Sequence, residues 1–198
     1  KPVRLAGVTG LAANGVEAVL RVGRSYLVHP VGQEDRYGRQ PAHLVGDGTR
    51  WVQGDLLAQG HALFQSDHAL SAVCLAALRR AEKLGESARR GVWADATLTV
   101  AAEDIAALRD KRGQYVLVKG KVLSVGDRKR RVYLNFGQKW NQDFTVSLAK
   151  SGRRAFKGDL VRVLASKGKT LRVRGVLEWS GGPLIRVLDE GQIELALP

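Results

Sequence analysis

A chain of 198 residues is long enough for two small domains, each burying its own core. Its one cysteine excludes an intrachain disulfide and zinc sites built on cysteine pairs, and no apolar run approaches the ~20 residues that span a bilayer. Against 19 acidic residues stand 32 Lys and Arg, a net charge of +13 that favours an anionic partner. Residues 1–110 carry a net charge of only +1, and residues 111–198 carry +12, so a boundary is expected near residue 111.

Lys1 to Val8 reads as a strand, with Val3, Leu5 and Gly7 alternating against Arg4 and Ala6. Ser25 to Pro30 and Pro41 to Val45 read as two more, separated by the polar, turn-forming stretch Gln33 to Arg39. Gly46-Asp47-Gly48 predicts a hairpin turn from which Trp51-Val52 pairs back, and Gly54 to Gln59 predicts a short helix. The strongest helical pattern runs from Asp67 to Arg90. Asp67 is its expected N-cap, Leu70, Val73, Cys74, Ala77 and Leu78 its apolar face, Gly85 an interior kink and Gly91 its C-cap. Cys74 is expected in the core. Ala102 to Lys111 reads as a connecting helix.

From Gly113 the pattern changes to period two. Tyr115 to Val125, Val132 to Phe136, Phe144 to Leu148, Leu160 to Ala165, Leu171 to Trp179 and Leu184 to Val187 are six expected strands at the spacing of a small barrel. The class is mainly β with α, an α+β chain divided as 1–95, a connector at 96–112, and 113–198.

Asp35-Arg36-Tyr37-Gly38-Arg39, an apolar strand, a Gly-Asp-Gly turn, Leu56 to Ala62, and Ala81-Glu82 through Ala88 to Trp93 follow one another in a set order. In that order residues 1–95 resemble the thermonuclease (staphylococcal-nuclease-like) family. The resemblance implies an OB-type barrel with packed helices and a calcium-dependent phosphodiesterase, whose two arginines neutralise charge on phosphorus while aspartates hold the metal and a glutamate handles water. Arg4 and Arg39 match the two arginines. The metal-ligand position is Thr9 and the glutamate position is Ala12, so no metal or other cofactor is expected; calcium enters only if Glu17, Glu34 or upstream residues substitute. The family's other aspartate lies on a hairpin that would precede Lys1, which leaves the barrel N-terminally incomplete. An upstream segment, a partner's strand, or Val16 to Val22 as a replacement strand would close it. Arg4 and Arg39 either keep phosphate binding or survive as ion-pair partners of Glu34 or Asp35. Tyr37, Trp51 and Trp93 are read as packing residues.

Residues 113–198 resemble the β-domain appended to such nucleases, through Val132 to Gly137, Trp140, Asp143 to Val146 and Arg172 to Trp179. This second, OB-like barrel carries no catalytic residues. Arg128-Lys129-Arg130-Arg131 place four cations on a turn, and Lys167-Gly168-Lys169 is another basic turn. Alternation puts Arg172 and Arg174 on the face of a strand opposite Leu171 and Val173, which predicts an exposed cationic face. With Tyr133, Lys139 and Trp140 interleaved, these residues are the expected nucleic-acid or polyanion site. Phe136, Phe144 and Trp179 are assigned to the core.

Three functions remain open on the sequence. The first is a non-catalytic, degenerate thermonuclease acting as a nucleic-acid or polyanion-binding scaffold. The others are an active phosphodiesterase with non-standard or upstream acids, and a structural subunit of a larger assembly. The family's habit of export and the absent start methionine lean towards a periplasmic or extracellular location.

Overall fold

The computed structural model describes residues 1–11, 14–67, 69–139, 141–152 and 154–196. Secondary structure is mixed α+β, mostly sheet with few helices, and the chain divides into two units, Lys1–Ala96 and Thr97–Pro198. The first unit holds β1 (Val3–Leu5), β2 (Val8–Thr9), α1 (Gly15–Val19), β3 (Leu27–Pro30), β4 (Gln40–Gly46), β5 (Arg50–Trp51), α2 (Val52–Ala58), β6 (Leu63–Phe64) and α3 (Ala72–Ser87).

The strand expected over Lys1 to Val8 is broken in two. Gly7 adopts φ 78°, in the left-handed region, so the chain turns there and only β1 runs beside β4. β1 lies parallel to β4, with Leu5 opposite Ala42, while β2 pairs with β6. β4 is the central strand: β3 flanks it antiparallel and β5 folds back onto Val45 and Gly46. Buried Gln53 ties α2 to this strand, accepting from the Leu44 N–H at 3.1 Å and donating to the Ala42 carbonyl at 2.8 Å. A buried amide is stable here because both of its ends are satisfied.

Val16 to Val22 does not supply a replacement strand, since Gly15–Val19 is the helix α1. Among the described residues β1 has β4 as its one strand partner, and the sheet of this unit does not close. The long helix starts later than its periodicity predicts. Ser71, whose side chain accepts from the Cys74 N–H, caps α3, and Asp67 lies outside it, bonded to the Ala69 N–H and to Arg4. Cys74 is half-buried at the margin of a core built on Val52, Leu56, Leu57, Phe64 and Leu78. On the buried face of α3, the Glu82 carboxylate accepts from the Phe64 N–H at 2.7 Å and so anchors β6.

Residues 96–112, read as a connector, carry a strand and a helix of the second unit. β7 (Thr99–Ala101) pairs parallel with β8 (Tyr115–Lys121), and α4 (Ile105–Asp110) starts at Asp104, whose side chain accepts from the Ala107 N–H. There follow β9 (Ser124–Asp127), β10 (Arg131–Asn135), β11 (Thr145–Ala149), α5 (Leu160–Leu164), β12 (Thr170–Ser180), β13 (Gly182–Val187) and β14 (Ile193–Leu195). Leu160 to Ala165, expected as a strand, is α5. Asp159 caps it by accepting from the Val161 and Arg162 N–H groups, and Leu160 and Val163, three apart, face the core. β8 and β9 are successive parts of one stretch interrupted at Val122-Leu123; β8 pairs with β12 and β9 with β10. Between them the pairing runs β12, β13, β11, β10, with β11 and β13 parallel. Phe144, Leu134, Val146, Leu177 and Ile185 form the centre of the core, and Phe136 lies against Phe144 at 5.0 Å between ring centroids. Trp179 is half-buried beside Arg109 rather than in that core.

Gly85 does not kink α3, which runs unbroken to Ser87; it lets α3 meet the end of α2. A Cβ at Gly85 would lie 2.5 Å from the Leu57 carbonyl oxygen. Gly85→Ala is therefore expected to lower stability by about 1–3 kcal/mol in chemical denaturation, against the gain of about 1 kcal/mol that helix propensity alone would give.

Candidate nucleic-acid interface

In the first unit the two arginines that match the family each meet a carboxylate. Arg4, on β1, donates to Asp67 at 3.2 Å, and neither side chain is more than 30% exposed. Arg39 donates through Nε to Asp35 at 2.8 Å, so one of the two expected partners is found, while Glu34 pairs instead with Lys1. Partial desolvation opposes ionisation of Asp35, but the backbone N–H groups of Arg39 and Tyr37 and the Arg39 guanidinium outweigh it and hold its pKa below the usual value. Tyr37 is not a packing residue. It is 63% exposed, with Arg36 and Arg39 over its ring at 4.7 and 5.1 Å. Trp51 does pack, edge-on to His43. Thr9 lies on β2, Glu17 is exposed on α1, and Ala12 lies outside the described residues.

In the same unit the sequence reading missed a histidine. His43, on β4, faces His29 across the strand pair and accepts from the Trp51 Nε1–H at 3.2 Å through Nδ1. That assigns the proton of the neutral ring to Nε2, which is buried with no acceptor among the described residues. Burial first, and His29 second, hold its pKa below the ordinary 6.5, against an opposing pull from Asp67.

In the second unit the expected cationic face of β12 is not exposed. β14 pairs antiparallel along β12 and sets Glu194 opposite Arg172. Glu194 accepts from Arg172 at 2.7 Å and from Arg174 at 2.5 Å, and the Arg174 side chain is 1% exposed. These two arginines are tied to Glu194 and are largely withdrawn from solvent. Arg131 likewise leaves the basic turn: it begins β10, half-buried, and donates to the Ser147 hydroxyl at 3.1 Å.

Arg128, Lys129 and Arg130 remain, at the tip of the β9–β10 hairpin. All three are exposed, and none has an ion pair among the described residues. The neighbouring Asp127 is taken by Lys150. Next to this tip lies the sheet face away from the core, where Tyr133 and Asn135 are half-buried and Thr145 and Ser147 buried. Tyr133 stands between Gly126 on one neighbouring strand and Ser147 on the other, and Asn135 between Ser124 and Thr145. Gly126, Arg128, Tyr133, Asn135 and Thr145, with Gly182 to Leu184 on β13, line a groove of about 560 Å³. Asn135 donates to Ser124 at 2.9 Å, whereas the Tyr133 ring and hydroxyl have no partner among the described residues. Compared with known proteins, the chain matches no family model and no curated protein.

Lys139 is exposed on the loop before β11, its backbone N–H bonded to Asp143 at 2.7 Å, and Trp140 lies outside the described residues. Lys167 and Lys169 are exposed on a turn held to the β8–β9 bend by the Gly168 N–H to the Val122 carbonyl at 2.8 Å. They do not line the groove. Lys119 and Lys121, exposed on β8, adjoin this second basic region; their alternation with Val118 and Gly120 carried the signal, which the sequence reading passed over. Asn135, Thr145 and the β13 residues carry no local signal, because only strand order brings them to one groove.

Two outcomes follow. Glu194→Ala leaves buried Arg174 without this carboxylate and is expected to cost on the order of 3 kcal/mol, whereas Arg128→Ala or Lys129→Ala leaves the denaturation midpoint unchanged. For His43, the folded state takes up its proton less readily than the unfolded chain, so stability is lost as pH falls through the unfolded value of 6.5. His43→Gln is expected to flatten the dependence of unfolding free energy on pH between about 7 and 5.

Proposed function

We propose that this chain is a non-catalytic, thermonuclease-related protein that binds single-stranded nucleic acid through the β9–β10 hairpin and the groove beside Tyr133. One observation carries the reading: Arg128, at a hairpin tip it shares with exposed Lys129 and Arg130, lines a groove in which an uncommitted tyrosine lies next to a glycine, and none of the three cations has an ion pair among the described residues. Phosphates are held by cations in solvent, and bases stack on aromatic rings whatever their sequence, so these two features belong together in a single-strand site. Gly126 leaves the approach to the ring uncovered.

An OB-type arrangement of the second unit is part of this reading, and what supports it is that the stretch 115–127 pairs with β12 through its first part and with β10 through its second. Against turnover in the first unit stand Thr9 and Ala12 at the acidic positions and the pairing of Arg4 and Arg39 with Asp67 and Asp35. Loss of a general base alone costs roughly 10²- to 10⁴-fold.

Fluorescence anisotropy with single-stranded and duplex oligonucleotides tests the proposal. Single strands are expected to bind more tightly, with log K falling against log salt by about 0.7 for each phosphate contacted. Converting Arg128, Lys129 and Arg130 to Glu should abolish most of the affinity, and Tyr133→Ala should cost about 1–3 kcal/mol of it. Salt-independent binding, or affinity unchanged in both variants, contradicts the assignment. Calcium-dependent cleavage abolished by Arg39→Ala would replace the scaffold reading with an active phosphodiesterase.

A further inference from the structure

A small cleft in the first unit gathers three further arginines. Arg21 and Arg24, from the loop after α1, meet Arg50 where β4 turns into β5, around a space of about 150 Å³. None of these residues was singled out by motif, and the cleft shares no residue with the Arg4 and Arg39 positions.

The floor of the cleft is Tyr26. Its ring packs half-buried against the core of this unit, and a Cβ at Gly46 would stand 3.1 Å from the ring edge, so the tyrosine is closely seated. The Tyr26 hydroxyl accepts from the Arg21 backbone N–H at 2.9 Å, which leaves its own proton without an acceptor among the described residues. The guanidiniums also keep donors to spare. Arg50 spends Nε on Asp55, leaving its two terminal nitrogens. Arg24 approaches Asp47 only to 3.7 Å, in a well-exposed pair, and Arg21 has no ion pair among the described residues. Three cations therefore face one lining carboxylate, Asp47. Like charges gathered at one cleft repel, and an anion among them reverses the sign of that interaction.

We propose that this cleft is a binding site for a phosphoryl group. A small cleft of this kind, open to solvent, suits a tetrahedral oxyanion with some of its hydration. Planar guanidiniums offer paired donors to such oxygens, and the phenol adds a neutral donor from a fixed position. Free phosphate and the terminal phosphate of a nucleic-acid strand share this chemistry. The inference is independent of the basic hairpin in the second unit.

The test is an NMR titration of the full chain with inorganic phosphate at constant ionic strength, following the Nε–H signals of Arg21, Arg24 and Arg50. Saturable shifts in all three are expected. They should weaken roughly tenfold or more in the exposed double variant Arg21→Ala with Arg24→Ala, and several-fold in Tyr26→Phe, which keeps the packing of the ring. The variant Arg128→Glu with Lys129→Glu and Arg130→Glu should leave them unchanged, so failure here and failure of the nucleic-acid surface are separable. Displacement of phosphate by a 5′-phosphorylated strand but not by its dephosphorylated twin identifies the strand terminus as the source; displacement by neither identifies free phosphate. No saturable shift, equal shifts with chloride, or unchanged affinity in both cleft variants overturns the proposal.

Discussion

The carboxylate of Glu194 decides what the second unit can do with its charge. A guanidinium as buried as that of Arg174 is tolerable only with a partner of opposite sign and good geometry, because desolvation of one charge costs several kcal/mol. β14 supplies that partner by running along β12, where one acid answers both Arg172 and Arg174. The interaction turns a strand face that would be a cationic platform into a largely covered, ion-paired layer. It also takes the Arg172 and Arg174 face of β12 out of contention as the ligand surface and leaves exposed positive charge on turns and on β8.

The same rule governs the first unit. Arg4 and Arg39, expected from the sequence to meet phosphate, are each held by an acid of their own unit. Where the neighbouring acid is already taken, as Asp127 is by Lys150 beside Arg128 to Arg130, the charge remains available to a partner. The chain thus sorts its cations by neighbourhood, and residue type alone does not reveal the sorting.

Much of the architecture was legible. Period-two runs located β8, β10, β11, β12 and β13, and the Gly-Asp-Gly turn located the return of β5 onto β4. The failures have physical causes. Leu160 to Ala165 is too short for its apolar spacing to separate helix from strand, and the Asp159 cap decides in favour of the helix. Gly7 looks like one more member of an alternation until its positive φ ends the strand. The cationic face of β12 followed correctly from alternation and was lost to a three-residue strand some twenty positions downstream, a long-range pairing that no local pattern encodes. Of the site, the basic turn and Tyr133 were visible in sequence. The residues that join Tyr133 in the groove were not, because strand order places them there.

The most direct test of the account is the footprint of a ligand on the labelled chain. When a short oligodeoxythymidine is added to the ¹⁵N-labelled protein at low salt, backbone shifts are expected at Gly126 to Arg130, Tyr133, Asn135 and Thr145, with Arg172, Arg174 and Glu194 unmoved. Shifts centred on β12 and β14, or on Arg4 and Arg39, would contradict it.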